Sequence, residues 1–228
     1  MQTIADRLIN ARQEIEHAIA DAHRPAHCVR LLAVSKTKPV SDIKAAYEAG
    51  QRQFGENYIQ EGVAKIEQLK TLSDIEWHMI GPIQSNKTKL VAEHFDWVQS
   101  VDRLKIATRL NEQRPAGMPP LNVCIQLNLE QEATKSGILP AELPGIAEAI
   151  CAMPNLKLRG LMAIPATNVS EAQQCDTLSQ LHALYTQLQA SADGIDTLSV
   201  GMSNDMALAI AHGSTMVRIG TAIFGSRN

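Results

Sequence analysis

The sequence predicts an α/β fold, a single closed (β/α)8 TIM barrel preceded by one extra N-terminal helix. Apolar runs of roughly five to eight residues recur along the chain, and helical patterns separate them. Such alternation requires parallel strands, and eight strands in 228 residues suit a closed barrel. A doubly wound open sheet is the alternative. No linker or composition break divides the chain, so we predict one domain over residues 1–228.

Each predicted strand is an apolar run bounded by turn residues. The strands span residues 31–35, 53–55, 77–80, 97–100, 122–128, 157–164, 197–200 and 216–219. An amphipathic helix occupies the N-terminal 23 residues, and further helices lie near residues 41–49, 58–69, 86–93, 102–112, 143–151, 170–190 and 204–211. Gly50 and Gly213 follow two of these helices, where a left-handed C-cap favours glycine.

Composition restricts the class of protein. Hydrophobic residues make up 45% of the chain, the formal net charge is −3, and acidic and basic residues are mixed along it. The absence of a basic stripe argues against nucleic acid as a partner. No apolar stretch approaches the roughly 20 residues of a membrane span, and the first helix lacks the apolar centre of a signal peptide. We therefore expect a cytoplasmic protein that does not engage a membrane.

Lys36 is the first candidate for chemistry. It follows the apolar run 31–34 and precedes Pro39, which prevents the strand from continuing. Because strand side chains alternate, Leu32, Val34 and Lys36 share one face, and the amine caps an apolar column. Partial dehydration disfavours the ammonium form, so the neutral nucleophile needed for Schiff-base chemistry becomes more available. The alternative is a strand-end lysine that simply reaches solvent.

Two loops predict a phosphate site. Met202 and Ser203 precede a predicted helix that Ser203 can N-cap, which would leave free N–H groups facing an anion. Gly220 and Thr221 follow the eighth strand, where glycine lets backbone approach a ligand and the hydroxyl can donate. Loops after strands seven and eight are the habitual phosphate position of this fold. A plain helix cap at Ser203 and a plain turn at Gly220 are the alternatives.

Other strand-end residues are weaker candidates. Arg218 stands in an apolar strand, so its guanidinium must meet a carboxylate, a phosphate or a ring nitrogen; a structural ion pair is the alternative. Asn57, His78 and Ser85 follow or end earlier strands and could contact a ligand or bond within loops.

Several chemistries lack support in the sequence. His23 and His27 have metal-like spacing, but Pro25 interrupts the helix that would align them, so we predict no metal site. The chain contains no Gly-x-Ser-x-Gly elbow, P-loop or Gly-x-Gly-x-x-Gly fingerprint, which argues against esterase, NTPase and dinucleotide functions.

A reactive lysine, a phosphate cradle and a buried arginine together call for an aldehyde that bears a phosphate, and pyridoxal 5'-phosphate (PLP) fits. Seven segments carry a family resemblance in the same order: residues 33–38, 54–58, 78–87, 135–137, 159–164, 201–206 and 217–225. On these motifs, over nearly its whole length, the sequence resembles the YggS/PROSC family of pyridoxal phosphate homeostasis proteins.

The resemblance implies a fold-type III barrel, like the N-terminal domain of bacterial alanine racemase. It implies that Lys36 binds the PLP aldehyde, that Ser203, Gly220 and Thr221 hold the phosphate, and that Arg218 faces the pyridine nitrogen. A permanently charged arginine there would make the ring a poorer electron sink. The expected cofactor contacts are Lys36, Asn57, His78, Ser85, Met202, Ser203, Arg218, Gly220 and Thr221.

The leading functional hypothesis is a non-catalytic, monomeric protein that buffers PLP and delivers it to PLP-dependent apo-enzymes, in support of vitamin B6 balance. Related racemases carry a second, β-rich domain that supplies an opposing acid/base, whereas here the barrel uses up the chain. One rival is an amino-acid racemase that works with Lys36 and either Tyr58 or a water; another is a class I aldolase. Lys38, Lys87 and Lys135 are either surface lysines or a transient second PLP site.

Overall fold

The computed structural model describes residues 2–129 and 136–226, and it confirms the predicted closed barrel. Eight parallel strands pair in chain order, and β8 closes on β1 through the register Leu32 to Arg218. The strands are β1 Arg30–Val34, β2 Gln53–Glu56, β3 Glu76–Met79, β4 Trp97–Val101, β5 Leu121–Leu127, β6 Leu156–Ala163, β7 Thr197–Ser199 and β8 Met216–Ile219. Every strand lies within a few residues of its predicted position.

Helices surround the barrel and connect the strands. In the described part of the chain they are α1 Ile4–Asp21, α2 Val40–Glu48, α3 Ile59–Gln68, α4 Thr88–His94, α5 Leu104–Gln113, α6 Leu143–Cys151, α7 Glu171–Ser191, α8 Met206–Ala211 and α9 Thr221–Phe224. Short 3-10 turns precede α4 and α6 at Ser85–Lys87 and Pro140–Glu142. The four-residue helix α9 was not predicted, because its length is too short for a periodic pattern.

Local signals explain where the first helix begins. The Thr3 hydroxyl accepts a hydrogen bond from the Asp6 N–H at 3.1 Å, and the Asp6 carboxylate accepts from the Thr3 N–H at 2.9 Å. This reciprocal capping box satisfies two backbone donors that a helix start leaves without partners. None of the helices among the described residues combines the length and apolar content that a membrane crossing needs.

The barrel has an apolar outer layer and a mixed interior. Side chains such as Leu31 and Ala33 point outward into the core shared with the helices. Inside, Trp97, Cys124 and Met162 form a separate apolar cluster. Buried polar side chains share this interior, which places hydrogen-bonding groups in the middle of the barrel.

Candidate functional site

Lys36 lies in the turn that follows β1, at the end of the barrel formed by the C-terminal ends of the strands. It lines a cleft of about 60 Å³ together with Val34, Gly220, Thr221 and other residues of the same loops. The structure therefore brings the candidate aldehyde-binding lysine together with two of the three residues expected to hold a phosphate. Lys36 is half-buried.

Gly220 is required by a close approach between two strand ends. A Cβ at this position would lie 3.2 Å from the Val34 carbonyl oxygen and 3.4 Å from the Val34 Cβ. A larger residue would therefore require the end of β1 at Val34 to shift by a few tenths of an ångström. Thr221 is the next residue, and its exposed side chain begins α9.

A buried ion pair fixes the backbone just before Lys36. The Lys65 ammonium on α3 donates to the Ser35 carbonyl at 2.7 Å and to the Glu56 carboxylate at 2.9 Å. The Ser35 hydroxyl donates to the same Glu56 oxygen at 2.5 Å. Burial raises the pKa of Glu56, and the charge of Lys65 opposes that shift. The network ties the end of β1 to β2 and α3.

The same network fixes the backbone just after Lys36. Lys65 also donates to the Glu61 carboxylate at 2.6 Å, and Glu61 accepts from the Thr37 N–H at 2.6 Å. Thr37 has a φ of +64°, a left-handed conformation that is rare for a β-branched residue. The carboxylate therefore stabilises a strained residue adjacent to Lys36.

Arg218 is buried on β8 and bonds to neutral acceptors. Its guanidinium donates to the Ser199 carbonyl at 2.8 Å, the Ser199 hydroxyl at 2.9 Å and the Ala163 carbonyl at 2.9 Å. Burial lowers the pKa of Arg218 to about 10, and the negative charge of Asp205 opposes that shift. The structural ion pair that the sequence left open is absent among the described residues, where Arg218 forms no salt bridge.

The loop after β7 differs from the prediction. The helix begins at Met206 rather than at residue 204, and Ser203 does not cap it. Residues 203–205 form a turn instead, because the Asp205 carboxylate accepts from the Met202 N–H at 2.7 Å. Ser203 is exposed on that turn and Met202 is half-buried; neither is among the residues lining the Lys36 cleft. The helix cap predicted at Ser203 is therefore wrong, and a role of Ser203 beside a phosphate stays a prediction.

Asn57 lies in a second cleft at the same end of the barrel. This cleft has a volume of about 280 Å³ and is lined by Asn57, Ile80, Gln126, Ala163, Ile164 and further loop residues. Ser85 begins the 3-10 turn before α4, where its carbonyl accepts from the Thr88 hydroxyl at 3.1 Å. Ser85 is not among the residues that line either cleft.

His78 is placed in the barrel interior, away from the clefts. Its side chain is fully buried and stacks on Trp97 with ring centroids 4.9 Å apart. Both ring nitrogens have protein partners, Glu76 at 2.8 Å and Gln99 at 2.9 Å. The expectation of a direct ligand contact is corrected, because the ring has neither exposure nor an available nitrogen. Burial lowers the pKa of His78, and the hydrogen bond to Glu76 opposes that shift.

The additional lysines have different environments. Lys38 lines the Lys36 cleft and donates to the Ser226 carbonyl at 2.8 Å, so it lies on the rim. Lys87 borders a separate cleft beside Asn57 and Tyr58. Lys135 lies outside the described residues.

Sequence reasoning missed the buried polar residues that support the site. Lys65 and Glu61 occupy one face of a helix and read as an exposed i, i+4 pair. Gln99 and Ser199 stand in apolar strands. Each lies two positions after a residue on the same face of its strand, Trp97 and Thr197, and this spacing is the one sequence signal that they point into the lumen. No group of three or more His, Cys, Asp or Glu side chains in the described ranges is arranged to hold a metal ion.

The residues of the Lys36 cleft fit an aldehyde that carries an anionic group. An amine, the hydroxyl of Thr221 and the backbone of Gly220 share one cleft. Amines form imines with aldehydes, while hydroxyl and backbone donors suit phosphate oxygens. This donor set matches PLP, the cofactor that the resemblance implies.

Comparisons with known proteins point to one family. The family model described as "Alanine racemase, N-terminal domain" matches residues 11–228. The pyridoxal phosphate homeostasis protein of Pasteurella multocida is 59% identical over 229 residues, which cover 99% of this chain and 98% of that protein. The structure of PipY from Synechococcus elongatus with PLP bound has a TM-score of 0.84 at 36% identity, covering 98% of this chain and 100% of PipY.

A more distant structure shares only the fold. Alanine racemase from Corynebacterium glutamicum is 15% identical with a TM-score of 0.71. The match covers 97% of this chain and 62% of the racemase. The racemase therefore extends well beyond the barrel that the two proteins have in common.

Proposed function

The chain belongs to the family of pyridoxal phosphate homeostasis proteins, and from that membership we propose that it binds PLP covalently at Lys36 and buffers or delivers it without turning over a substrate. The observation that carries the proposal is the single cleft shared by Lys36, Gly220 and Thr221. We further propose a cytoplasmic monomer of one domain whose recipients are PLP-dependent apo-enzymes.

Each residue has a distinct proposed task. Lys36 supplies the amine for a Schiff base, and the Glu56, Lys65 and Glu61 network fixes the backbone on both sides of it. Gly220 and Thr221 hold the phosphate, with Ser203 and Met202 in the adjacent loop. Arg218 donates toward the pyridine nitrogen, and Asn57 borders the neighbouring cleft. When bound, the cofactor supplies a reactive aldehyde and an electron-withdrawing ring.

Non-catalytic behaviour is supported by the groups around the clefts. Two clefts matter here, the Lys36 cleft and the second cleft of about 280 Å³ that Asn57 lines. Among the described residues that line them, the titratable side chains are Lys36 and Lys38. Two-base racemisation needs a second acid/base group on the opposite face of the cofactor. Tyr58, the second base of the racemase alternative, lies outside both clefts, in the adjoining one with Lys87. Lys38 is adjacent to Lys36 in the same loop and donates to the Ser226 carbonyl.

Covalent trapping tests the attachment. The purified protein with PLP should absorb at roughly 410–430 nm, as PLP in imine linkage does. Borohydride reduction followed by peptide mapping should place the pyridoxyl group on Lys36. Lys36→Ala should abolish the adduct, whereas Lys38→Ala, a lysine of the same rim, should retain it. An adduct at another position, or none, contradicts the proposal, and a colourless protein would favour the aldolase.

A turnover assay distinguishes the carrier role from a racemase, a class of enzyme that shares this fold. The loaded protein should not interconvert the enantiomers of alanine or serine, and it should transfer labelled PLP to an apo-transaminase. Free PLP at equal concentration is the control for transfer. If the wild type racemises an amino acid and Lys36→Ala does not, the carrier hypothesis is wrong and the protein is a racemase.

A further inference from the structure

Five polar side chains form a continuous hydrogen-bond chain across the barrel interior. Arg218 on β8 donates to the Ser199 hydroxyl on β7 at 2.9 Å, and that hydroxyl donates to Gln99 Oε1 on β4 at 2.6 Å. Gln99 Nε2 lies 2.9 Å from His78 Nδ1, and His78 Nε2 lies 2.8 Å from the Glu76 carboxylate, both on β3. The chain joins opposite sides of the lumen and begins at a proposed cofactor contact.

The two ends of the chain fix its direction. A guanidinium has only donors, and an ionised carboxylate has only acceptors. Burial works to raise the pKa of Glu76, but the His78 hydrogen bond and neighbouring charges together lower it, which favours the carboxylate. Arg218 must therefore donate to Ser199 and Glu76 must accept from His78 Nε2, so a neutral His78 ring presents its acceptor nitrogen Nδ1 to Gln99.

Met216 fixes the direction independently in the middle of the chain. Its sulfur lies 3.1 Å from Gln99 Nε2, and a thioether can only accept. The atom of Gln99 beside the sulfur and beside His78 Nδ1 must therefore be the amide nitrogen. It follows that His78 Nδ1 carries no proton and that His78 Nε2 donates to Glu76.

We infer that His78 is a positioning residue: through Gln99 and Ser199 it links the guanidinium of Arg218 to the carboxylate of Glu76 and holds Arg218 in one orientation inside the barrel. The contacts of Arg218 are a hydroxyl and two carbonyls, all neutral, in a site where an isolated charge is costly. A chain polarised in one direction strengthens each of its bonds and favours the charged end. The cofactor part of this inference rests on the proposed function.

The first test needs no cofactor and is read on the wild-type protein. Nitrogen-15 NMR of histidine-labelled protein at neutral pH should show His78 as the neutral Nε2–H tautomer, with His78→Gln used only to assign the resonance. The Nδ1–H tautomer, or a charged ring, would overturn the inference because neither can accept from Gln99 Nε2.

The second test measures whether the chain orders Arg218. Ser199→Ala removes the link, while Ser214→Ala removes another fully buried hydroxyl, which donates to the Val200 carbonyl at 2.7 Å outside the chain. Hydrogen exchange at the Arg218 guanidinium, followed by NMR without PLP, should be about ten-fold faster in Ser199→Ala than in the wild type. Ser214→Ala should keep the wild-type rate. Equal exchange in both variants would overturn the positioning role.

The third test addresses the cofactor. Ser199→Ala should bind PLP about ten-fold more weakly than the wild type, as judged by the concentration of a competitor that removes PLP. A loss of affinity of this size is expected when one charge-assisted contact is misplaced. Its absorption should also show a changed pH profile, whereas Ser214→Ala should match the wild type in both. If the wild type itself takes up no PLP, the proposed function fails, and the first two tests alone decide the inference. Identical PLP binding by all three proteins would contradict it.

Discussion

At the scale of single residues, burial of His78 makes folding stability depend on pH. Burial lowers the pKa of His78 in the folded protein, against the opposing hydrogen bond to Glu76. In the unfolded chain its pKa is about 6.5. As pH falls below that value the unfolded state takes up a proton that the folded state does not. The stability present above pH about 6.5 is therefore lost progressively toward the lower, folded pKa.

His78→Gln should remove this part of the pH dependence. Urea denaturation at a series of pH values between about 7 and 5 should show a shallower decline in the free energy of unfolding than in the wild type. His17→Gln, on an exposed position of α1, is the control and should keep the wild-type slope. If the free energy of unfolding declined equally with pH in His78→Gln and in the wild type, the pKa of His78 would have to be the same in the folded and unfolded states, which contradicts the prediction.

At the scale of elements, α3 determines the conformation of the turn after β1. Lys65 is 6% exposed at its side chain and joins Ser35, Glu56 and Glu61, so the loop of Lys36 is attached to α3 through charges. Lys65→Met would leave Glu56 buried without its counter-ion. Breaking one partner of a buried ion pair typically costs about 3–5 kcal/mol. We expect a loss of that order in the free energy of unfolding, measured by denaturant titration.

The partner substitution separates charge burial from packing. Adding Glu56→Gln to Lys65→Met removes the unpaired carboxylate, so the double variant should be more stable than Lys65→Met alone. Lys44→Met, an exposed lysine on α2, is the control and should change stability little. If the double variant were less stable than the single one, Glu56 would have to be uncharged in the folded protein.

The elements also show what a sequence can and cannot predict here. Strand positions follow from apolar runs and turn residues, and they agree with the structure for all eight strands. The start of α8 could not be predicted, because Ser203 and Asp205 are both good cap residues and only the Asp205 bond to the Met202 N–H decides between them. Likewise, the sequence is compatible with Gly220 being a simple turn residue, and only the structure shows its close contact with Val34.

At the scale of the whole molecule, the interior of the barrel was beyond sequence reasoning. The sequence predicts a ligand contact for His78 at a strand end, yet His78 alternates with the outward-facing Trp77 and Met79 and so points into the lumen. Its partner Gln99 lies 21 positions away along the sequence, and Ser199, the partner of Gln99, lies a further 100 positions away on a strand that meets β4 only when the barrel closes. Cross-lumen pairs depend on the closed geometry, so local patterns carry no signal for them.

At the same scale, we expect the extra helix α1 to stabilise the closed barrel. This helix packs against α2, α8 and α9, the helices on either side of the β8–β1 junction. Arg24, just after α1, donates to the Ile210 and Ser214 carbonyls at 2.8 and 2.6 Å, which joins α1 to the segment that leads into β8. The helix therefore completes the outer ring where the two ends of the sheet meet.

Two neighbouring residues of α1 test this role. Leu8 is fully buried and Ile9 is 53% exposed. Leu8→Ala should lower the free energy of unfolding by about 3 kcal/mol, because it removes buried methyl groups and leaves a cavity at the junction. Ile9→Ala should change it by less than about 0.5 kcal/mol. Urea titration followed by both far-UV and near-UV circular dichroism measures each loss and shows whether α1 and the barrel unfold together. Equal losses for the two variants, or a first transition confined to α1 in the wild type, would show that the barrel closes without its extra helix.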